Sequence, residues 1–389
     1  MTPFSYSGKR YTIIRVRSLN WLYLVIAQSK GNEMVDISRC KKCILPVTYP
    51  DIQFDKHGIC NFCLAASNEK KGPRKRSKNE LDRIIKSYKG KSSKYDVIVG
   101  LSGGKDSSYV AYYLKTEYDV KILGMNYDIG YRSEYAIQNL ETLADKLKID
   151  LFTIRPNSSF LKKLFAHFLR NRGEFCSVCN NLGYLIGASF SWNQKLSLGF
   201  SPLMVGGWSK EYEFQHGVSV TSMEYFFENL THELLEELIA QPFIEEKIIL
   251  GYMKLKDPRQ AQIGTKEHKQ LGDYAMNFIQ LPDYVEWNIR EIPHILSDGL
   301  DWKHPPDVHE SHFDCSLFPI KEYLKFKKYG LTQETIKNSA LIREGLMSRE
   351  EALERTVLEQ TTEPEIFISF LHELGLSKDD IKWDAEWSR

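Results

Sequence analysis

Apolar residues recur along this chain at two periods, and the switching between them predicts its architecture. Tyr95 to Leu101 (YDVIVGL) is a short apolar run of strand type, and VKILGMN (120–126), IDLFTI (149–154) and PLMVGG (202–207) repeat it. Between these runs the spacing turns helical. Leu81, Ile84, Ile85 and Tyr88 share one helical face behind a capping-box pair, Ser77 and Glu80. Ala136, Leu140, Leu143, Ala144 and Leu147 share another, and further helices are expected at 158–172 and 182–192. Strands alternating with helices imply βαβ units, an α/β fold whose parallel sheet is covered on both faces. Ligand then sits at the carboxyl ends of the strands. The segments 102–107, 126–128 and 206–208 all lie just past such ends and are expected to share one crevice.

Beyond about residue 220 the pattern weakens into prolines, aromatics and scattered histidines, then recovers: Ser348 and Glu351 form a second capping box, and Pro364 opens a last amphipathic helix through Leu374. A mainly helical C-terminal region, 221–389, is expected to serve the substrate. The aromatic run Tyr225, Phe226, Phe227 reads as core, lacking interleaved basic residues. EKKGPRKRSK (69–78) reads as a basic linker spanning 67–78, and Met34 opens a segment that reads as a domain start. Residues 1–33 are then an extension or the product of a mis-chosen start codon. With 389 residues, two or three structural units are expected at about 150 residues each. No apolar run approaches the ~20 residues that cross a bilayer, and the start lacks the zones of a secretory signal. A cytoplasmic protein without a membrane partner follows as an expectation.

Composition changes this picture in two places. Fifty-two basic against fifty-one acidic side chains leave a net charge of +1, without the surplus expected of a protein gripping long nucleic acid. Seven cysteines, an odd number in so long a chain, do not make a disulfide scaffold. Cys40, Cys43, Cys60 and Cys63 form two CxxC pairs with sixteen residues between them, the spacing of a tetrahedral zinc site on knuckle turns. A four-sulfur site leaves no position open for chemistry, so a structural zinc module is expected over 34–66. Buried or redox thiols are the plainer reading.

Cys176, Cys179 and Cys315 remain. Buried core thiols are one reading; a redox CxxC carrying a persulfide or disulfide is another. His304, His309 and His312 beside Asp314 and Cys315 form a further candidate metal group, although irregular loop spacing favours surface or substrate-contacting histidines. Glu211 and Glu213, after the Gly206-Gly207-Trp208 turn, are candidates for Mg²⁺ or substrate, against the plainer reading of solvated carboxylates.

The densest chemistry lies at Ser102-Gly103-Gly104-Lys105-Asp106-Ser107, between a strand and the helical SYVAYYLK. A glycine turn there leaves backbone N–H groups at the positive end of a helix dipole, where phosphate fits. Gly103 and Gly104 permit close approach, Ser102 and Ser107 offer hydroxyls, and Lys105 supplies a point charge. The run is no Walker loop, whose second glycine stands immediately before the lysine after four intervening residues.

It does match SGGKDS, the signature of the PP-loop ATP pyrophosphatase superfamily. CKKCILPVTYPDIQFDKHGICNFC followed by YDVIVGLSGGKDS also resembles the N-acetyl sugar amidotransferases of surface-polysaccharide biosynthesis, as does SALIREGLMSREEALE (339–354). That likeness covers about 34–215 and 320–375. The iron–sulfur tRNA thiolases are similar in another way: a four-cysteine module precedes SGGKDS and a CSxC motif follows, here Cys176-Ser177-Val178-Cys179.

The superfamily resemblance implies a HUP-like adenine-nucleotide-binding domain, placed at 79–220, that adenylates a carbonyl, amide or carboxyl oxygen and releases pyrophosphate. Ser102, Gly103, Gly104 and Ser107 would cradle the pyrophosphate, Lys105 would offset growing charge and Asp106 would orient Mg²⁺. Asn126 and Asp128 are expected to approach the nucleoside, with Gly206 in the same crevice. The thiolase resemblance implies that Cys176, Cys179 and Cys315 hold a 4Fe–4S cluster with one open iron.

Sulfur insertion into a small molecule or nucleotide leads narrowly, because it accounts for all seven cysteines; a sulfur-donor protein would then be the partner, with tRNA a weaker substrate. Amidation of an N-acetylated nucleotide sugar is the close alternative, with ammonia from a separate glutaminase, since no Cys-His-Glu triad is evident here. A nucleotide-binding regulatory partner without turnover is the third reading, and a homodimer is compatible with all three.

Overall fold

The computed structural model describes residues 3–6, 9–14, 24–27, 38–49, 52–68, 76–198, 202–207, 222–253, 255, 261–288, 291–305, 313–345, 347–358 and 363–383. The chain divides into two units, Met1–Ser38 and Arg39–Arg389. The first holds an antiparallel meander of β1 (Pro3–Tyr6), β2 (Lys9–Ile14) and β3 (Leu24–Ala27), with Phe4 opposite Tyr11 and Thr12 opposite Ile26.

The second unit is organised by a parallel sheet. A turn at Cys40–Cys43 and α1 (Asn61–Asn68), which holds Cys63 in its first turn, precede α2 (Lys78–Tyr88), whose N-cap Ser77 accepts the Glu80 N–H. Then come β4 (Val97–Gly100), α3 (Lys105–Tyr118), β5 (Ile122–Tyr127), α4 (Glu134–Leu147) and β6 (Asp150–Ile154). Next follow α5 (Ser158–Arg172), α6 (Cys176–Leu198) and β7 (Leu203–Gly206). The sheet order is β6–β5–β4–β7–β8, where β8 is Asn277–Gln280, and every pairing is parallel. Two strands, β5 and β6, therefore progress to one side of β4 before the chain returns to the other, making the β4/β7 boundary a topological switch point.

Strand alternation explains the two cores. Val97, Val99, Ile122, Leu203, Val205 and Ile279 bury one face against α3, α4 and α11 (Glu291–Leu300). Ile98, Leu123, Met125, Met204 and Phe278 bury the other against α5 and α6. Side chains two apart share a face, so each apolar run fills both cores at once. The edge strand β6 is exposed along most of its length.

The remaining helices fill out the second core or the C-terminal end. They are α7 (Met223–Glu228), α8 (His232–Ile239), α9 (Glu246–Tyr252), α10 (Lys266–Leu271), α12 (Phe318–Tyr329), α13 (Gln333–Glu344), α14 (Arg349–Leu358) and α15 (Ile366–Glu373). Phe226 is fully buried and stacks on Phe168 at 5.7 Å, as core. No described helix is long and apolar enough to cross a membrane.

Two elements differ from the sequence pattern. Helix α6 begins at Cys176 rather than near 182, so the CxxC occupies its first turn; the polar Cys-Ser-Val-Cys-Asn-Asn opening hides the period although Ser177 and Asn181 are buried. Strand β8 lies in the stretch without a readable pattern. Its four residues are too short to display alternation, and pairing with β7 decides them.

Candidate nucleotide cleft and metal centre

The SGGKDS loop leaves the end of β4 at the switch point and enters α3 with Gly104 as N-cap, where no side chain caps the helix. Gly103 has φ +80°, and a Cβ there would meet the Ala136 carbonyl oxygen at 2.1 Å, so only glycine fits. The Gly103 carbonyl accepts hydrogen bonds from Asn139 Nδ2 and Trp302 Nε1, both at 3.2 Å. Within the loop, the Ser102 N–H donates to Ser107 Oγ at 3.1 Å and the Gly104 N–H to Ser102 Oγ at 3.2 Å. Lys105 is buried and places its ammonium 2.8 Å from both Asp106 carboxylate oxygens, and Trp287 Nε1 donates to the same carboxylate at 3.2 Å.

A cleft of about 360 Å³ opens beside this loop, within the range of small-ligand sites. Its wall includes Ser102, Ser107, Gly206 and Cys179, named from the sequence, and Tyr127 from the expected 126–128 segment, together with Arg132, Gly183 and Gln280, which the sequence did not single out. Arg132 donates to the Ser102 carbonyl (3.1 Å) and the Tyr127 carbonyl (2.6 Å), joining the loop to the end of β5.

Asn126 and Asp128 are brought to the same strand end but engaged elsewhere. Asn126 Oδ1 accepts from Arg132 Nη2 at 3.0 Å. Asp128 is paired with Arg155; burial raises its pKa, but the Gly130 N–H and Arg155 outweigh burial and hold it below the usual carboxylate range. Neither lines the cleft, whereas Tyr127 between them does, with a buried hydroxyl lacking a partner among the described residues. Asp314, read from sequence only as a neighbour of histidines, sits with its carboxylate against Gly104 and 3.9 Å from Arg132.

Cys176 and Cys179 are one helical turn apart at the start of α6, where Ser177 N–H and hydroxyl both donate to Glu174. Cys315 bridges backbone to Arg132 and packs against the same apolar cluster as Cys176 and Cys179. All three are free and partly buried. Burial pushes the Cys176 thiol up to about 12 and Cys315 to about 11, and Cys179 well above its ordinary value, with the neighbouring thiols adding to the shift of Cys176 and Cys179. By donor type, three thiolates suit an iron–sulfur cluster. Among the described residues they are not drawn within the 4.8 Å spacing of the other four.

Those other four are different. Cys40, Cys43, Cys60 and Cys63 are completely buried, and their sulfurs all lie within 4.8 Å of one another. Cys40 to Cys63 is 3.9 Å and Cys43 to Cys60 3.8 Å, close to the ~3.8 Å edge of a tetrahedron with metal–sulfur bonds near 2.3 Å. Cys40 Sγ also accepts backbone N–H groups of Lys42, Cys43 and Cys60. Hydrogen bonds from its three fellow thiols hold Cys40 far below its ordinary pKa, while sharing protons with Cys40 drives Cys60 and Cys63 upward. A divalent ion replaces those shared protons, so the donor set fits a metal. Trp208, Glu211, Glu213, His309 and His312 lie outside the described residues; His304 stacks edge-on against Phe313 at 5.0 Å.

A five-stranded parallel sheet with SGGKDS at its switch point, accompanied by a four-cysteine centre, is the PP-loop-like arrangement expected from the sequence. Residues 77–177 match the NAD synthase family, and residues 309–383 match the family described as LPS biosynthesis protein WbpG-like, C-terminal domain. The first match spans the strand–loop–helix that carries SGGKDS, and the second spans α12 to α15. An uncharacterized protein of Methanocaldococcus jannaschii is 24% identical over 339 residues, spanning 87% of this chain and 99% of that protein. The tRNA-specific 2-thiouridylase MnmA of Hahella chejuensis is 40% identical over 80 residues, 19% of this chain and 22% of that enzyme. The tRNA thiolase NcsA of Methanococcus maripaludis, solved with its 4Fe–4S cluster, superposes with TM-score 0.34 at 16% identity over 85% of this chain and 91% of that one. So loose a superposition carries no argument.

Proposed function

We propose that this protein is an ATP-consuming, AMP-forming enzyme that activates an amide oxygen of an N-acylated sugar precursor and replaces it with nitrogen. Adenylation rests on one observation: the SGGKDS loop at the switch point, with Gly103 locked against Ala136 and the α3 N-terminus uncapped. The substrate oxygen attacks the α-phosphorus of ATP, the bond to the β-phosphate oxygen breaks, and pyrophosphate leaves into the loop. Ser102, Gly103, Gly104 and Ser107 receive it; Lys105 offsets its charge; Asp106 and Asp314 are the carboxylates at hand for a nucleotide-borne Mg²⁺. Ammonia then attacks the activated carbon, the carbon–oxygen bond breaks with AMP leaving, and the nitrogen sheds a proton to give an amidine. Ammonia would come from a glutaminase partner.

The WbpG-like match over 309–383, which covers α12 to α15 and includes Cys315, favours this acceptor because that family is described by LPS biosynthesis. The thiouridylase likeness spans only a fifth of the chain. Sulfur insertion stays as a second reading on one observation, Cys179 on the cleft wall beside Ser102. In either reading the zinc assignment for the four-cysteine centre is structural.

The test is ATP–pyrophosphate exchange with N-acetylated nucleotide sugars, followed by product mass. Substrate-dependent exchange that falls about 100- to 1,000-fold in Lys105→Ala is expected. A product lighter than substrate by nearly one hydrogen mass marks oxygen replaced by NH; a heavier one marks sulfur and overturns the nitrogen assignment. Undiminished exchange in Lys105→Ala overturns the role of the loop lysine.

A further inference from the structure

Helix α13 presents a physical problem. Gln333, Glu334, Thr335, Lys337, Asn338 and Ser339 are all buried, and the Asn338 amide has no partner among the described residues. A helix so polar gains little from removal from water and loses solvation for each unpaired group. Ile336 and Leu341 are its buried apolar anchors, and Lys325, Glu322 and its own Glu334–Lys337 pair meet part of its polar face, so further polar contacts must complete its hold. The four-cysteine centre packs on it directly: Leu331 and Ile336 share one buried cluster with Cys40, Cys43, Cys60 and Cys63. The Ile44 N–H reaches Ser339 Oγ at 3.4 Å, and Thr48 Oγ1 donates to the Tyr329 carbonyl at 2.6 Å.

The next helix closes the contact. Arg349, at the start of α14, donates from Nε to the carbonyls of Cys40 (3.4 Å) and Cys43 (3.2 Å), and from Nη2 to Cys40 at 3.3 Å. These carbonyls belong to the knuckle that aims two of the four sulfurs. A planar guanidinium spans both acceptors at once, which a point-like ammonium does not.

We propose that the four-cysteine centre is a metal-dependent clasp for α13 and α14, with Arg349 as the positioning residue that couples the knuckle to the helix pair. Metal binding orders the knuckle, the ordered carbonyls seat Arg349, and the seated helices bury the polar face of α13. The reverse holds too: docked helices fix the ligand geometry and raise metal affinity.

Hydrogen–deuterium exchange on the full chain, zinc-loaded and chelator-stripped, tests this, together with Arg349→Ala and Arg349→Lys. Stripping is expected to remove protection from 331–352 as well as 39–68 while β4, β5 and β7 keep theirs. With zinc bound, Arg349→Ala is expected to weaken metal affinity about 10- to 100-fold in competition with a chromophoric chelator, and to deprotect 331–352; Arg349→Lys restores little of either. Deprotection confined to 39–68, or Arg349→Ala with wild-type affinity and wild-type protection of 331–352, overturns the clasp. The Arg349→Ala arm is read with metal bound, so it decides the matter even where stripping unfolds the whole chain.

Discussion

The two cysteine groups of this chain have the same residue type and nearly the same CxxC spacing, yet they occupy opposite environments. Cys40, Cys43, Cys60 and Cys63 are sealed from solvent at tetrahedral spacing, with backbone N–H groups aimed at the sulfur of Cys40. Cys176, Cys179 and Cys315 are partly buried beside a cleft, with Cys179 on the wall shared with Ser102. The number of segments that converge makes the difference. A turn carrying Cys40 and Cys43 and the start of α1 carrying Cys60 and Cys63 face each other, so four sulfurs converge on a point from two segments, while the first turn of α6 presents Cys176 and Cys179 from one segment alone. A closed set suits structure; a set facing a cleft is free for chemistry.

Removing one sulfur from each group breaks or sharpens that contrast most strongly. Cys60→Ser is expected to cost about 3 kcal/mol or more, with loss of bound metal, and Cys179→Ser less than about 1 kcal/mol. Thermal unfolding with metal analysis reads both, and equal losses would erase the distinction. A smaller effect concerns reactivity. Because burial pushes the Cys176 thiol up to about 12 and Cys315 to about 11, and raises Cys179 well above its ordinary value, only their minor thiolate fraction reacts. Alkylation of all three in cluster-free protein should therefore rise about tenfold per pH unit without a plateau below pH 9, followed by peptide mass spectrometry. A plateau near pH 8 would show ordinary exposed thiols.

The smallest effect is at Glu174, which accepts the Ser177 N–H at the start of the helix bearing Cys176. Burial raises its folded pKa, so the protonated form is favoured on folding. Its contribution is fully present below the unfolded carboxyl pKa and declines as pH rises toward the folded one. Glu174→Gln keeps the acceptor without the ionisation and is expected to remove that pH dependence at a change under about 1 kcal/mol, whereas Glu174→Ala also loses the acceptor and lies about 1 kcal/mol below Glu174→Gln at every pH. A stability–pH curve for the three proteins gives the answer, and an unchanged slope in Glu174→Gln would exclude this carboxyl as its source.

Much of this was readable in the chain. Four strands and the helices between them followed from alternation, because each apolar run must fill the two cores on either side of one sheet. SGGKDS was legible because a phosphate loop needs its glycines and lysine consecutive on the backbone, and the first four cysteines because a knuckle needs CxxC. Asn126 and Asp128 lay at the right strand end, yet Arg132 and Arg155 engage their side chains and Tyr127 takes the wall. No local pattern signals such competition.

The sequence by itself determined what short-range geometry dictates: the strand–loop–helix, the knuckles and the alternating sheet. Only the tertiary structure decided which distant residues meet. Cys315 reaches the CxxC helix through a bridge to Arg132, Trp302 and Asn139 close on Gly103, Arg349 seats on the Cys40 and Cys43 carbonyls, and β8 becomes a strand because β7 offers it an edge. Each is a contact between segments far apart along the chain, and such contacts are set by packing and by the need to pair buried polar groups, which leave no period in the sequence to read.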